Sequence, residues 1–368
     1  MLKKFFFNII LIFLSTIFFA CSNSSNISED ILEAKETKLN TTNPFFNKST
    51  LTYGYPHFDK IKNSHYLPAF EKGMKDHLNE INEIVNQKDK PNFKNTIINL
   101  EKSGELLNRV SYVFFSMSWA NTNDSLESIR TEIAPQLSAH NDEILLNEKL
   151  FNRVETIYND KENLSLDDES IRLLEETYKS FIRSGAKLST NDKEKLKQTN
   201  ESIAENTTIL TQNVLKEVNS LAIIVDDINE LEGLSESMIE VLSEEAVKRG
   251  LNDKFVITLQ NTSGQPILAS LKNRKLREKI HLTSLSRGSS GGEFDNRKIF
   301  LKLIKLRTEK ANLLGFDNYA EYSLDEQTAK TVEAVNSRLS SLTPPSVRNA
   351  NKKAIELEKI INSEGDDF

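Results

Sequence analysis

Histidines are the residues from which metal chemistry would be expected in this 368-residue chain, and there are five of them. A zinc peptidase site built on His-Glu-x-x-His needs two histidines four residues apart, so that both imidazoles share one helical face. The five are His57, His65, His77, His140 and His281, and no two of them have that spacing. The sequence therefore predicts no catalytic residue and no metal ligand.

One Glu-x-x-His spacing does occur, at Glu278 and His281. Di-metal sites in helical bundles need two such pairs together with further carboxylates. A single pair is interpreted as part of a solvated helix face.

Residues 288–292, GSSGG, match the G-x-S-x-G pattern of serine hydrolases, with Ser290 at the position of the nucleophile. That nucleophile requires a strand before it, a helix after it and a partner histidine. Because residues 282–287 have a helical pattern instead, a flexible loop explains the glycines and serines more simply.

A basic cluster precedes this loop and could bind phosphate or a peptide carboxylate. It consists of Lys272, Arg274, Lys275, Arg277 and Lys279. Five cations on one helix more often form a solvated face, and no aromatic residues interleave with them as a nucleic-acid platform requires. The whole chain has a net charge of −7, which also disfavours nucleic-acid binding.

The first 21 residues are typical of a bacterial lipoprotein signal peptide. Lys3 and Lys4 precede an apolar run over residues 5–19. Cys21 is the only cysteine, which rules out an intramolecular disulfide, and the segment FFAC resembles a lipobox, whose cysteine is acylated. Residues 22–42 are polar and predict a flexible tether. We expect lipidation at Cys21 and anchoring in the cell envelope; the alternatives are an ordinary cleaved signal peptide and an uncleaved membrane anchor.

From residue 43 onward, helical patterns follow one another with short breaks, which predicts a mainly α fold. Tyr66–Val85 carries apolar residues three and four apart. A second pattern runs from Phe93 to Ala120 and predicts one central buried helix, with Trp119 in the core. Two β-prone runs, 221–225 and 255–259, are predicted to pair as one small two-stranded element.

Other helices are predicted at residues 125–146, 148–158, 165–185, 189–218, 237–249 and 300–314. Pro266 is placed at a helix N-terminus. Pro344 and Pro345 are expected to break the pattern before a final helix.

Several separated blocks resemble the M3 zinc oligopeptidases, specifically their dipeptidyl carboxypeptidase branch. The resemblance extends from Asn43 to the last residue. Its blocks include PHFDKI at 56–61, HYLPAFEKGM at 65–74, EKSGELLNRVSYVFFSMSWANTND at 101–124, DDESIRLLEETY at 167–178, FIRSGAKL at 181–188, NRKLREKI at 273–280 and LLGFDNYAEYSL at 313–324.

The resemblance implies a mostly helical peptidase whose deep channel admits short peptides, and whose zinc-activated water releases C-terminal dipeptides. In the family, a His-Glu-x-x-His helix and a downstream glutamate ligate the zinc. These residues have no counterpart here, so zinc is the cofactor of the family and none is expected to bind this chain. We expect residues 43–368 to form the N-terminal half of an M3 oligopeptidase-like fold, ending before the zinc-bearing half.

Three hypotheses follow. In the first, the chain is the scaffold and channel-wall half of a lipid-anchored dipeptidyl carboxypeptidase and is inactive alone. In the second, it is a non-catalytic lipoprotein that binds peptides or a partner. In the third, a separately encoded catalytic half completes it. A large exposed apolar patch would favour a missing half, whereas a binding module would bury such a surface.

Overall fold

The computed structural model describes residues 43–364, without the side chains of residues 261–265 and 364. The predicted signal peptide, Cys21 and the tether lie outside the described residues. The chain divides into two compact units, which meet in sequence between Lys179 and Ser180. Helices dominate both units and the described strands form one two-stranded sheet, so the predicted mainly α fold is confirmed.

The first unit consists of helices and short helical turns. Its α-helices are α1 (Tyr66–Val85), α2 (Asn99–Lys102), α3 (Glu105–Ala120), α4 (Asp124–Leu145) and α5 (Glu148–Asn159), and α6 (Asp168–Arg183) begins in it. A π-helical turn at Phe93–Ile98 precedes α2. Helix α1 begins and ends at the predicted residues, because its apolar spacing is regular throughout.

Aromatic side chains form the centre of the first unit's core. The rings of Phe70 and Phe114 meet edge to face, with their centroids 5.3 Å apart, and Tyr66 meets Phe114 in the same way at 5.1 Å. At Gly73, a Cβ atom would lie 2.9 Å from the Cα atom of Leu107, so only glycine lets α1 approach α3 this closely.

The predicted continuous helix from Phe93 to Ala120 is wrong, because the chain breaks at Ser103 and Gly104. Gly104 adopts a left-handed conformation with φ of 74°. A Cβ atom there would lie 2.9 Å from the imidazole of His77, so a side chain at this position would be both strained and obstructed.

The prediction for Trp119 is also wrong. Its side chain is 76% exposed, and the guanidinium of Arg130 lies 5.6 Å from the centre of its ring. Val113 and Phe114, earlier on the same helix, face the core instead. The apolar stretch therefore extends to the surface at its C-terminal end, where an arginine covers the indole.

The second unit contains a longer series of helices and the small sheet. Its elements are α7 (Thr190–Ser220), β1 (Ile223–Val225), α8 (Glu236–Lys248), β2 (Phe255–Ile257), α9 (Asn261–Ser270), α10 (Arg274–Leu285), α11 (Arg297–Leu313), α12 (Tyr319–Leu324) and α13 (Val332–Glu364). Ser189 caps α7 by accepting a hydrogen bond from the backbone N–H of Asp192 at 3.2 Å.

The predicted two-stranded element is confirmed. Strands β1 and β2 are antiparallel, and Ile223 pairs with Ile257. Ile223 and Val225 are buried while Ile224 between them is exposed, so one face of the sheet covers the core of the second unit. Leu242 of α8 belongs to that core, which gives the sheet the support that two strands alone lack.

Two predictions about proline are wrong. Pro266 lies inside α9 rather than at its start, and both Pro344 and Pro345 lie inside α13. In the second case, the two prolines remove the donors only for the carbonyls of residues 340 and 341, so the rest of this 33-residue helix keeps its hydrogen-bonding pattern. Hydroxyl groups on either side of the prolines also bond to backbone carbonyls of the helix. Thr343 donates to the carbonyl of Leu339 and Ser346 to that of Leu342, each at 2.8 Å.

Candidate functional site

The residues that the sequence marks as candidates for metal, phosphate or peptide binding do not come together in one site. Glu278 and His281 are exposed on α10, as expected of a solvated face. In the basic cluster, Lys272 pairs with Glu232 at 2.8 Å, and Arg277 donates hydrogen bonds to the carbonyls of Leu271 and Lys272. Two of the five cations therefore stabilise the segment that leads into α10.

A pair of histidines that the spacing argument missed lies in the first unit, where His140 is buried and His77 is half-buried. His77 Nδ1 is 2.9 Å from His140 Nε2, and His77 Nε2 is 3.1 Å from Ser103 Oγ. Since Ser103 donates its proton to the carbonyl of Leu100, it accepts from His77. His77 then accepts from His140, whose buried Nδ1 has no hydrogen-bond partner among the residues that the structure describes.

Burial controls the protonation of this pair. Desolvation is the main cause that lowers the pKa of His140 to about 4, and the neighbouring His77 lowers it further. Desolvation also lowers the pKa of His77, against the opposing effect of Glu80. Both rings are neutral at neutral pH, and this pair connects α1 to α4.

The histidine pair does not fit a zinc site. Its two facing nitrogens are engaged with each other, and zinc needs three or four protein ligands directed at one point. Across residues 43–364, no group of three or more His, Cys, Asp or Glu side chains is arranged to hold a metal.

Ser290 lies in the loop between α10 and α11, and its hydroxyl donates to Glu217 Oε1 at 2.5 Å. The other oxygen of Glu217 accepts the backbone N–H of Gly288. Its carboxylate, on α7, is only 1% exposed. The hydrogen bonds described for Ser290 include no histidine, so this serine fixes the loop to α7 instead of forming a nucleophile–base pair.

Replacing Glu217 by alanine is expected to destabilise the loop, because the half-buried Gly288 loses the acceptor of its backbone N–H at a cost of about 1–3 kcal/mol. Hydrogen exchange should therefore be at least about tenfold faster in residues 288–296. Ser289→Ala is the matched control, since the Ser289 hydroxyl is exposed and bonds only within the loop. Unchanged exchange in Glu217→Ala would show that the carboxylate does not hold this segment.

An exposed apolar stripe runs along α13, a helix of 33 residues in the second unit. Leu339 and Leu357 lie five helical turns apart, as do Leu342 and Ile360, so the four form one line along the helix. Their side chains are between 45% and 58% exposed. Such a stripe is typical of a surface that another element covers.

No helix within the described range, 43–364, is long and apolar enough to span a membrane.

A family model and two similar proteins indicate the same family for this chain. The profile of peptidase family M3 matches residues 267–368. The chain is 39% identical over 330 residues to the dipeptidyl carboxypeptidase of Escherichia coli, a match that covers 90% of this chain and 48% of that protein. The corresponding enzyme of Salmonella typhimurium is 38% identical over 324 residues, covering 88% and 48%.

A more distant relative is oligopeptidase A of Haemophilus influenzae, at 28% identity over 327 residues, 87% of this chain and 47% of that protein. The chain spans about half the length of the curated relatives it matches. Identity is higher to the dipeptidyl carboxypeptidases than to this oligopeptidase, and it extends through both units. The chain therefore belongs to peptidase family M3, on its dipeptidyl carboxypeptidase branch.

Proposed function

We propose that this chain supplies the scaffold and channel-wall portion of a zinc peptidase that releases C-terminal dipeptides from short peptides, and that zinc is ligated by residues outside those described. The apolar stripe of α13 carries the proposal, because an exposed line of four large apolar side chains needs a covering surface. The matched relatives are about twice as long as their match to this chain, which leaves room for a covering half.

The spacing of the histidines also supports a zinc site formed by residues outside those described. The family uses zinc, and none of the five histidines has the His-Glu-x-x-His spacing. A binding lipoprotein without a catalytic partner would be expected to bury its apolar surface. The exposed stripe therefore favours completion by a catalytic half, either on the same polypeptide or separately encoded.

We expect the purified chain to bind no stoichiometric zinc and to release no dipeptides from short peptides, because the residues described do not form a metal site. Zinc is measured by elemental analysis, and cleavage by mass spectrometry of a peptide with a blocked N-terminus. Chelator-sensitive release of C-terminal dipeptides by the pure chain would contradict this proposal.

We also propose that the chain is exported and anchored to the cell envelope through a lipid on Cys21. The apolar run before Cys21 and the polar segment after it support this location. Labelled palmitate should be incorporated into the wild-type chain and not into Cys21→Ser. Equal labelling of both would refute lipidation at this residue.

A further inference from the structure

A groove of about 600 Å³ lies between α7 and α11. This volume is within the range of about 300–1,000 Å³ that is usual for small-ligand sites. Two leucines and four polar residues contribute to its lining: Leu306, Leu313, Lys195, Gln198, Glu309 and Asn312.

The two helices run antiparallel, which gives the groove walls of opposite charge. Asn296, just before α11, donates to the carbonyl of Leu210 on α7, whereas the far end of α11 faces residues 195–202. The C-terminal turn of α11 carries the negative end of its dipole beside Glu309. Lys195 stands on the opposite wall, near the positive end of α7.

The polar side chains of the groove are available to a ligand. Across the described residues, the side chains of Gln198, Glu309 and Asn312 make no hydrogen bond or ion pair. Lys195 pairs with Asp192 at 3.0 Å, and both side chains are more than a third exposed. Such a surface pair is weak and readily exchanged for another anion.

We propose that this groove binds a peptide of two or three residues whose amino and carboxyl ends are both free. Glu309 pairs with the ammonium group and Lys195 with the carboxylate. The amides of Gln198 and Asn312 donate to and accept from the peptide bond, and Leu306 and Leu313 contact an apolar side chain. This proposal does not rest on the proposed function.

Calorimetric titration of the purified chain with Ala-Phe, N-acetyl-Ala-Phe and Ala-Phe amide tests the proposal. Ala-Phe should bind at least about tenfold more tightly than either blocked peptide, because each block removes one charge-assisted contact. Glu309→Gln should weaken binding of Ala-Phe about tenfold and leave the affinity for N-acetyl-Ala-Phe unchanged.

Glu201→Gln is the matched control, since it removes an exposed carboxylate of α7 that does not line the groove. It should bind Ala-Phe as the wild type does, and circular dichroism checks that both variants are folded. The proposal is overturned by equal affinity for free and blocked peptides, by wild-type affinity in Glu309→Gln, or by no binding at millimolar Ala-Phe. Those results leave the proposed function intact, because it depends on α13 and not on this groove.

Discussion

Lowering the pH from about 7 to about 4 is expected to destabilise the first unit by about 3 kcal/mol, through His140. This side chain is 4% exposed, and burial lowers its pKa from 6.5 to about 4. The unfolded chain therefore binds more protons than the folded one between these two values. The unfolding free energy therefore keeps the full contribution of neutral His140 above pH 6.5 and loses it as the pH drops to about 4. Below that pH, His140 causes no further change.

His140→Phe removes this titrating group and should reduce the pH dependence, leaving the part that comes from the lowered pKa of His77. Urea titrations followed by the fluorescence of Trp119, the only tryptophan and a residue of the first unit, measure the unfolding free energy at each pH. The control is His281→Gln, which replaces an exposed histidine of the second unit. The same loss of stability between pH 6.5 and 4 in His140→Phe would show that other groups dominate acid unfolding.

Replacing Leu339 and Leu357 together by glutamate is expected to weaken association with a zinc-bearing half by more than about 100-fold, because two charges would then face an apolar contact. The unfolding free energy of the chain should change by less than about 0.5 kcal/mol, since surface substitutions rarely cost more. Association is measured by calorimetry and unfolding by urea titration.

Ile355→Glu is the matched control for this surface. Ile355 is also exposed on α13, but it lies two residues from Leu357 and therefore on nearly the opposite side of the helix. It should associate as the wild type does. Equal weakening by Ile355→Glu would mean that the stripe is not the docking surface.

Sequence patterns predicted correctly those helices and strands whose formation depends on interactions between neighbouring residues. The apolar spacing of α1 predicted both of its ends, and the β-prone runs predicted the positions of the two strands. In each case the signal lies within a few residues of the structure it specifies. The family followed from separated blocks of sequence, which no single motif would have identified.

The misplaced features depend on contacts between distant residues. His77 and His140 are 63 positions apart, and only the fold shows that they meet. One signal was available in the sequence, because His77 lies on the same helical face as the apolar residues Phe70, Met74 and Ile81. The contact of Glu217 with Gly288 is similarly remote, and no local pattern marks a buried glutamate as the acceptor for a loop.

Complementation tests whether this chain supplies the scaffold half of a peptidase. The chain is mixed with the part of the Escherichia coli dipeptidyl carboxypeptidase that it does not match, and release of C-terminal dipeptides is followed by mass spectrometry. The matched part of the Escherichia coli enzyme, mixed with the same partner, shows that the assay works. We expect chelator-sensitive release from the mixture and none from this chain alone. Release by this chain alone, or no release from the mixture when the Escherichia coli pair is active, would contradict it.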